Sequence, residues 1–214
     1  MIKNIVFDVG NIIVKGKPKD ALKYIELDEK YKEIIKKVIF ENPDWKKLDY
    51  GDLDFDEYFE INKDKLPENI IDIAKDCLFK SVEYRKFNEN IISLIKKLYE
   101  NGYKIYILSD NNVNTYNYLK KSELNDYISG WCVSAFYGEV KEGKKLYKIL
   151  FDTFKLNPDE CYFIDDREKN IQIGKEYGMD GFNLDWEKHN YNELIQQMKN
   201  KKIEIWGEEN EEKY

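Results

Sequence analysis

Histidine and cysteine are scarce in this sequence, and each scarcity argues against a class of site. His189 is the only histidine among 214 residues and lies in a polar stretch, so a histidine general base is not expected. The three cysteines, Cys77, Cys132 and Cys161, are widely spaced and form neither a CxxC pair nor a disulfide framework. Buried free thiols are typical of a reducing compartment, so we expect a cytoplasmic protein.

Long apolar runs and an excess of positive charge are also missing. No run is long enough to span a membrane, and Met1–Asn4 leads directly into an apolar segment, so we expect neither a membrane helix nor a signal peptide. The net charge of −7 argues against nucleic acid and anionic membranes as partners. It leaves a small phosphorylated metabolite open, because a local cation or metal can override the global sign. The oligomeric state is not indicated.

Five short apolar runs alternate with helical patterns along the chain. This alternation predicts an α/β fold with a parallel sheet and right-handed crossovers. The predicted strands are 4–8, Tyr103–Leu108, Trp131–Ser134, Cys161–Ile164 and Gly181–Leu184.

About eighty residues separate the first two predicted strands, and they read as helices without a central strand. Within this stretch we predict a turn at Leu48–Leu53, and Asp54 with Glu57 forms a capping box that begins a helix. The stretch is therefore an inserted helical module. We interpret its aromatic residues Trp45 and Tyr50 as core, which is the commoner role of such side chains.

Polar side chains follow four of the predicted strands at their carboxyl ends. Asp8 ends the first, Ser109 the second and Asp165-Asp166 the fourth, while Lys141 follows the third by a short loop. Ligands bind at this edge of parallel sheets, so we expect these groups to meet there. A carboxylate nucleophile, a hydroxyl, a cation and a magnesium-type carboxylate pair form an inventory for phosphoryl transfer.

Blander interpretations of single residues stay open at this point. A lone strand-end aspartate is equally able to cap a turn, and Ser109 is equally able to cap the following helix. Asp110 and Asn111 are ambiguous between lining a phosphate site and capping that helix.

Taken in order, these residues resemble the four motifs of the haloacid dehalogenase superfamily of phosphohydrolases. The segments that carry the resemblance are Phe7-Asp8-Val9-Gly10-Asn11, Leu108-Ser109-Asp110-Asn111, Gly138-Glu139-Val140-Lys141 with Tyr147, and Phe163-Ile164-Asp165-Asp166 with Asn170 and Gly178-Met179. The Asp-x-Gly-Asn form of the first motif is similar to the branch that acts on small sugar phosphates, including glucose-1-phosphate phosphatases.

The resemblance implies an architecture and an activity. It implies a Rossmann-like three-layer α/β core over 1–14 and 90–206, a helical cap inserted over 15–89 after the first strand, and an acidic tail over 207–214. It also implies a magnesium-dependent phosphohydrolase that acts on a small phosphate monoester through an aspartyl-phosphate intermediate.

The resemblance further implies roles for individual residues. Asp8 would attack phosphorus, Ser109 would hydrogen-bond the transferring group, and Lys141 would neutralise its charge. The implied substrate contacts are Val9, Gly10, Asp110 and Asn111. The implied metal ligands are Asp8, the Gly10 carbonyl, and Asp165 or Asp166.

Two positions depart from the usual pattern of the superfamily. Gly10 stands where most of its phosphatases carry a second aspartate as general acid, although the Asp-x-Gly-Asn branch shares this glycine. Glu142 stands where a proline usually follows Lys141. Loss of a general acid removes a contribution of about 10²–10⁴-fold, so Gly10 keeps open a catalytically degenerate protein that binds a phosphorylated ligand or a protein partner.

Two further alternatives fit less well. A dehalogenase would be expected to carry an aromatic residue at Gly10 and an arginine early in the insertion, where this chain has Lys15, Lys17 and Lys19. A receiver-like signalling domain would place its acidic pair before the phosphorylated aspartate, whereas Asp165-Asp166 comes last.

Overall fold

A five-stranded parallel sheet forms the centre of the molecule. The computed structural model describes residues 1–205, and its strands are β1 (Asn4–Phe7), β2 (Lys104–Ser109), β3 (Gly130–Val133), β4 (Cys161–Asp165) and β5 (Asp180–Asn183). Their spatial order is β3-β2-β1-β4-β5. The predicted α/β fold and parallel sheet are confirmed, and each strand begins and ends within one residue of its predicted bounds.

The central position of β1 follows from its burial on both faces. Successive side chains of a strand point to opposite faces, so a strand covered on both sides is apolar throughout. Ile5 and Phe7 pack into one hydrophobic cluster and Val6 into another, and all three are inaccessible to solvent. The sheet is therefore the middle of three layers.

Helices of moderate length cover these two faces. They are α5 (Glu89–Glu100), α6 (Val113–Lys120), α7 (Lys145–Phe154), α8 (Glu168–Glu176) and α9 (Tyr191–Asn200). α5 and α9 pack on the face that includes Phe7, whereas α7 and α8 pack on the face that includes Val6. The N-cap of α6 is Asn112, whose side chain accepts a hydrogen bond from the Thr115 backbone N–H.

The chain between β1 and α5 folds into short helices, which we call the inserted helices. They are α1 (Glu29–Ile35), α2 (Trp45–Tyr50), α3 (Phe55–Glu60) and α4 (Ile71–Phe79), with 3₁₀ or π segments at Pro18–Tyr24, Lys36–Phe40, Lys63–Lys65 and Glu68–Ile70. They pack around a hydrophobic cluster of their own. The predicted capping box of Asp54 and Glu57 is present at the start of α3.

One prediction in this region was wrong. The segment Leu48–Leu53 was predicted as a turn, but its first three residues complete α2, which ends at Gly51. Gly51 has φ +75°, and its amide donates to the Leu48 carbonyl, so the glycine closes the helix rather than a turn.

The structure also bears on the cysteines, on membrane helices and on the C-terminal residues. Cys77, Cys132 and Cys161 are all free and buried. Across residues 1–205, no helix has both the length and the apolar character needed to cross a membrane. Trp206, the last residue of the expected core, and the expected acidic tail at 207–214 lie outside the described residues.

Candidate active site at the carboxyl edge of the sheet

The loop after β1 presents Asp8 at the carboxyl edge. The Asp8 amide donates to the Ile164 carbonyl at 2.9 Å, so the backbone hydrogen bonds between β1 and β4 extend as far as Asp8. The chain then turns back, and the Val9 carbonyl accepts the amides of Ile13 and Val14. Asp8 is consequently fixed and 6% exposed.

Lys141 joins the ends of β1 and β4. Its Nζ lies 2.9 Å from Asp8 Oδ1 and 2.6 Å from Asp165 Oδ2, and the lysine is only 2% exposed. Burial alone would lower the pKa of Lys141, but the negative charges of Asp165, Asp8 and Asp110 outweigh it and raise the pKa. The ammonium group therefore keeps its proton and stands as a fixed positive charge beside Asp8.

The neighbours of Lys141 hold it in place. Its backbone amide donates to Asp110 Oδ1 at 2.8 Å, and Ser109 Oγ donates to Asp8 Oδ1 at 2.8 Å. Oδ1 of Asp8 thus has two donors, while Oδ2 borders the space beside Gly10.

Asp165 is clamped from the other side. The Arg167 amide donates to Asp165 Oδ1 at 2.7 Å, and Asn170 Nδ2 lies 2.9 Å from both carboxylate oxygens. The Tyr147 hydroxyl donates to the Asn170 carbonyl at 2.9 Å. Burial raises the pKa of Asp165, whereas the Lys141 ammonium group at 2.6 Å lowers it and favours the ionised carboxylate. Both carboxylate oxygens of Asp165 therefore accept hydrogen bonds from protein donors.

The three carboxylates among the predicted metal ligands lie close together. Among the described residues, one oxygen from each of Asp8, Asp165 and Asp166 lies within 4.8 Å of the others. Asp166 is half-buried, and its Oδ2 accepts a hydrogen bond from Asn11 Nδ2 at 2.8 Å. A set of carboxylate oxygens is the hard donor set that Mg²⁺ takes, so the residues present fit this ion.

Asn11 belongs to the site because it links the loop after β1 to Asp166 and Trp186. Its φ is +56°, a left-handed conformation that asparagine tolerates better than most residues. The side chain reaches Asp166, and the carbonyl accepts Trp186 Nε1 at 2.7 Å. The first motif therefore fixes both the nucleophile candidate and the position of Asp166.

A cavity of 380 Å³ opens beside these groups. Its wall combines the loops after β1, β2 and β4 with residues of the inserted helices. Among the lining residues are Gly10, Asn11, Asp49, Arg85, Asp110, Asn111 and Arg167. Three of the four predicted substrate contacts, namely Gly10, Asp110 and Asn111, line the cavity, whereas the Val9 side chain packs in the core.

Two cavity residues were missed because they lie outside the motifs. Arg85 and Arg167 are the only arginines in a chain with 35 lysines and arginines, and both line this cavity. Within the described part of the chain, Arg85 Nε is buried without a hydrogen-bond acceptor. Burial lowers the pKa of Arg85, against the raising effect of Asp8 and Asp20. The rarity of arginine in a lysine-rich sequence is the signal that would have found both.

The inserted helices meet the sheet edge through α2. Ser134, inaccessible to solvent, donates from Oγ to the Asp49 carbonyl at 2.5 Å and accepts the Asn111 amide at 2.9 Å. A Cβ on Gly51 would lie 2.0 Å from the Ala135 carbonyl oxygen. Trp45, predicted as core, packs against the cluster of the inserted helices and also lines the cavity. α2 is therefore seated directly on the segment that follows β3.

Comparisons with known proteins agree with this arrangement. A family model described as haloacid dehalogenase-like hydrolase matches residues 2–178. D-ribitol-5-phosphate phosphatase of Bacteroides thetaiotaomicron is 29% identical over an alignment of 199 residues that covers 85% of this chain and 91% of that protein.

Two solved structures share the fold. A HAD family enzyme from Bacteroides thetaiotaomicron, in complex with magnesium and inorganic phosphate, matches with a TM-score of 0.68 and 19% identity, over 89% of this chain and all of that one. A HAD-like family hydrolase from Porphyromonas gingivalis matches with a TM-score of 0.70 and 17% identity, over 92% and 98% of the two chains. With the family model spanning most of its length, this chain belongs to the haloacid dehalogenase-like hydrolase family.

Proposed function

We propose that this protein is a magnesium-dependent phosphatase that hydrolyses a small phosphate monoester through an aspartyl-phosphate on Asp8. One observation carries the proposal: the buried Lys141 ammonium group lies between Asp8 and Asp165 at the sheet edge, beside an open cavity. A fixed cation next to a carboxylate nucleophile suits a reaction whose main demands are positioning and charge neutralisation.

In this proposal the two carboxylate oxygens of Asp8 have different roles. Oδ1 is held by Ser109 and Lys141, and Oδ2, which borders the space beside Gly10, attacks phosphorus. Lys141 neutralises charge on the transferring group and keeps Asp8 oriented. The backbone of Val9 and Gly10, together with Asp110 and Asn111, completes the phosphate pocket.

Asp8, the Gly10 carbonyl and Asp166 would hold Mg²⁺, with Asp165 as their neighbour. We favour Asp166 over Asp165 as the direct ligand because both Asp165 oxygens already accept protein donors. The bound ion would supply positive charge that offsets the negative charge of the phosphate ester.

The substrate in this proposal is a phosphorylated sugar or polyol. The cavity has the size of a small-ligand pocket and is lined by the two arginines and several polar groups. The ribitol phosphatase relative makes polyol phosphates the first compounds to test. We assign the core to 1–14 and 90–206 and a specificity-determining cap to 15–89, and the three free cysteines support a cytoplasmic location.

A substrate screen tests the proposal. Purified protein with Mg²⁺ is expected to release phosphate from p-nitrophenyl phosphate and from at least one sugar or polyol phosphate in a panel that also contains nucleotides. Asp8→Asn should reduce turnover by at least about 10³-fold with its thermal unfolding midpoint retained, because it removes the nucleophile. Phosphate binding without hydrolysis of any ester would favour a degenerate binding protein instead.

A further inference from the structure

The position after Val9 lacks a proton donor but has room for one. A Cβ on Gly10 would meet only Asp8 Oδ2, at 3.9 Å, so the glycine borders open space. An alkoxide leaving group needs a proton as its bond to phosphorus breaks. If the proposed function holds, this proton must come from elsewhere in the cavity wall.

The acids of the wall are Asp49, Asp110 and Glu41. Glu41 forms a hydrogen bond with Lys19, which lowers the pKa of Glu41, so it is ionised. Burial raises the pKa of Asp110, against the lowering effect of the Lys141 charge and backbone amide. Its Oδ1 already accepts that amide at 2.8 Å, so Asp110 serves to hold the Lys141 loop.

Asp49 differs from both. Burial raises the pKa of Asp49 to about 7, the negative charge of Asp110 adds to this effect, and Arg167 opposes it. A pKa near neutrality suits a general acid, which must hold a proton before the reaction and release it during the reaction. The charged groups around Asp49 in the cavity are Lys17, Lys19, Glu41, Arg85, Asp110 and Arg167.

Backbone contacts hold Asp49 in a fixed position. Its carbonyl accepts the Ser134 hydroxyl, which also binds the Asn111 amide, so the residue is tied to the loop that follows β2. Gly51 lies against Ala135 two residues later and closes the helix there. Asp49 thus lines the same cavity as Gly10, on an element seated against the core.

We propose that Asp49 is the general acid of this phosphatase and replaces the side chain absent at Gly10. The inference rests on the proposed function. As Asp8 forms its bond to phosphorus, the bond from phosphorus to the ester oxygen breaks, and Asp49 transfers its proton to that oxygen. Water then attacks the aspartyl-phosphate and gives a proton to the Asp49 carboxylate, the bond from phosphorus to Asp8 breaks, and both aspartates return to their starting forms.

Asp49→Asn tests this role with two kinds of ester. For the best polyol or sugar phosphate of the panel, kcat should fall about 10²–10⁴-fold, the usual contribution of a general acid. For p-nitrophenyl phosphate, kcat should fall less than about tenfold, because the nitrophenolate ion departs without a proton. Asp52→Asn, an exposed carboxylate three residues along, is the matched control and should leave both activities unchanged.

Two further measurements make the test independent of how well one variant folds. In the unmodified protein, kcat/KM for the alkyl ester should fall as pH rises through about 7, with a weaker effect for p-nitrophenyl phosphate. The double variant Gly10→Asp with Asp49→Asn should recover at least tenfold of the lost alkyl-ester activity.

Equal losses on both esters, or none on either, would overturn the role of Asp49, as would matching pH profiles for the two esters in the unmodified protein. Absence of hydrolysis of either ester by the unmodified protein would instead reject the proposed function itself. The two failures are therefore distinguishable.

Discussion

Lys141 Nζ lies 2.6 Å from Asp165 Oδ2, and both residues are almost completely buried. Lys141→Met would leave Asp8 and Asp165 facing each other without a cation. We expect the free energy of unfolding to fall by about 3–5 kcal/mol, as when one member of a buried ion pair is removed. Urea unfolding at neutral pH measures the loss.

A surface pair supplies the control for this change. Lys144 pairs with Glu176, and both side chains are about half exposed. Lys144→Met should change the free energy of unfolding by no more than about 1 kcal/mol. Similar losses for the two variants would show that burial does not govern the strength of the Lys141 pairing.

Magnesium is expected to stabilise the fold. Asp8, Asp165 and Asp166 bring three carboxylates together with one nearby ammonium group. Binding of Mg²⁺ should raise the unfolding midpoint, by an amount equivalent to about 2.7 kcal/mol at 100 times the dissociation constant. Thermal unfolding with MgCl₂, compared with NaCl at equal ionic strength, separates binding from screening.

Asp166→Asn should remove most of this stabilisation. Glu168→Gln, an exposed change in the first turn of α8, should keep it. A wild-type response to Mg²⁺ in Asp166→Asn would exclude Asp166 as a direct ligand.

Arg85 is expected to bind substrate. Its Nε is buried and, within residues 1–205, meets no acceptor, so an anionic or hydroxyl group of the substrate would satisfy it. A hydrogen bond to a charged group contributes about 1.5–3 kcal/mol, so Arg85→Met should raise KM about tenfold or more. Lys86→Met, an exposed neighbour, should leave KM unchanged, and an unaltered KM in Arg85→Met would place the substrate elsewhere.

Gly51→Ala should displace α2. The new methyl group would lie 2.0 Å from the Ala135 carbonyl oxygen, in addition to the strain of φ +75°. Gly102→Ala is a close match, because its φ is +85° but nothing lies within 4 Å of the added Cβ. We expect Gly102→Ala to cost about 1–2 kcal/mol of stability with kcat retained.

Gly51→Ala should cost more stability than its match and should also lower kcat, since Asp49 moves with α2. Stability is read from urea unfolding and kcat from hydrolysis of the preferred ester. Equal stability losses with full activity in both variants would mean that the seating of α2 does not matter for turnover.

The residues at the carboxyl edge of the sheet could be predicted from the sequence because each follows an apolar run, directly or after a short loop. Each apolar run that ends in Asp8, Ser109 or Asp165 predicts both a strand and the residue at its carboxyl end. Parallel pairing of the strands then brings these ends together. The hydrogen-bonded group of Asp8, Ser109, Lys141 and Asp165 is thus a direct product of strand order.

The part of the cavity wall that the inserted helices form could not be predicted in this way. α2 has only six residues, too few to be stable alone, and it is seated by the contact between Ser134 and Asp49, 85 residues apart. Local pattern therefore favoured a turn, and Asp49 carried no motif. Arg85 was also missed because it lies outside the motifs and has no periodic pattern, so only the rarity of arginine distinguishes it.

The middle position of β1 in the sheet has a consequence for synthesis. Asn4 pairs with Lys104 on one side and Cys161 on the other, so β1 must wait for the synthesis of β4 before its pairing is complete. At usual elongation rates this wait is roughly 8 to 30 seconds. A nascent chain that stops before Asp165 contains Asp8 but lacks β4 on one side of it, so Asp8 acquires its full surroundings only after residue 165 has been added.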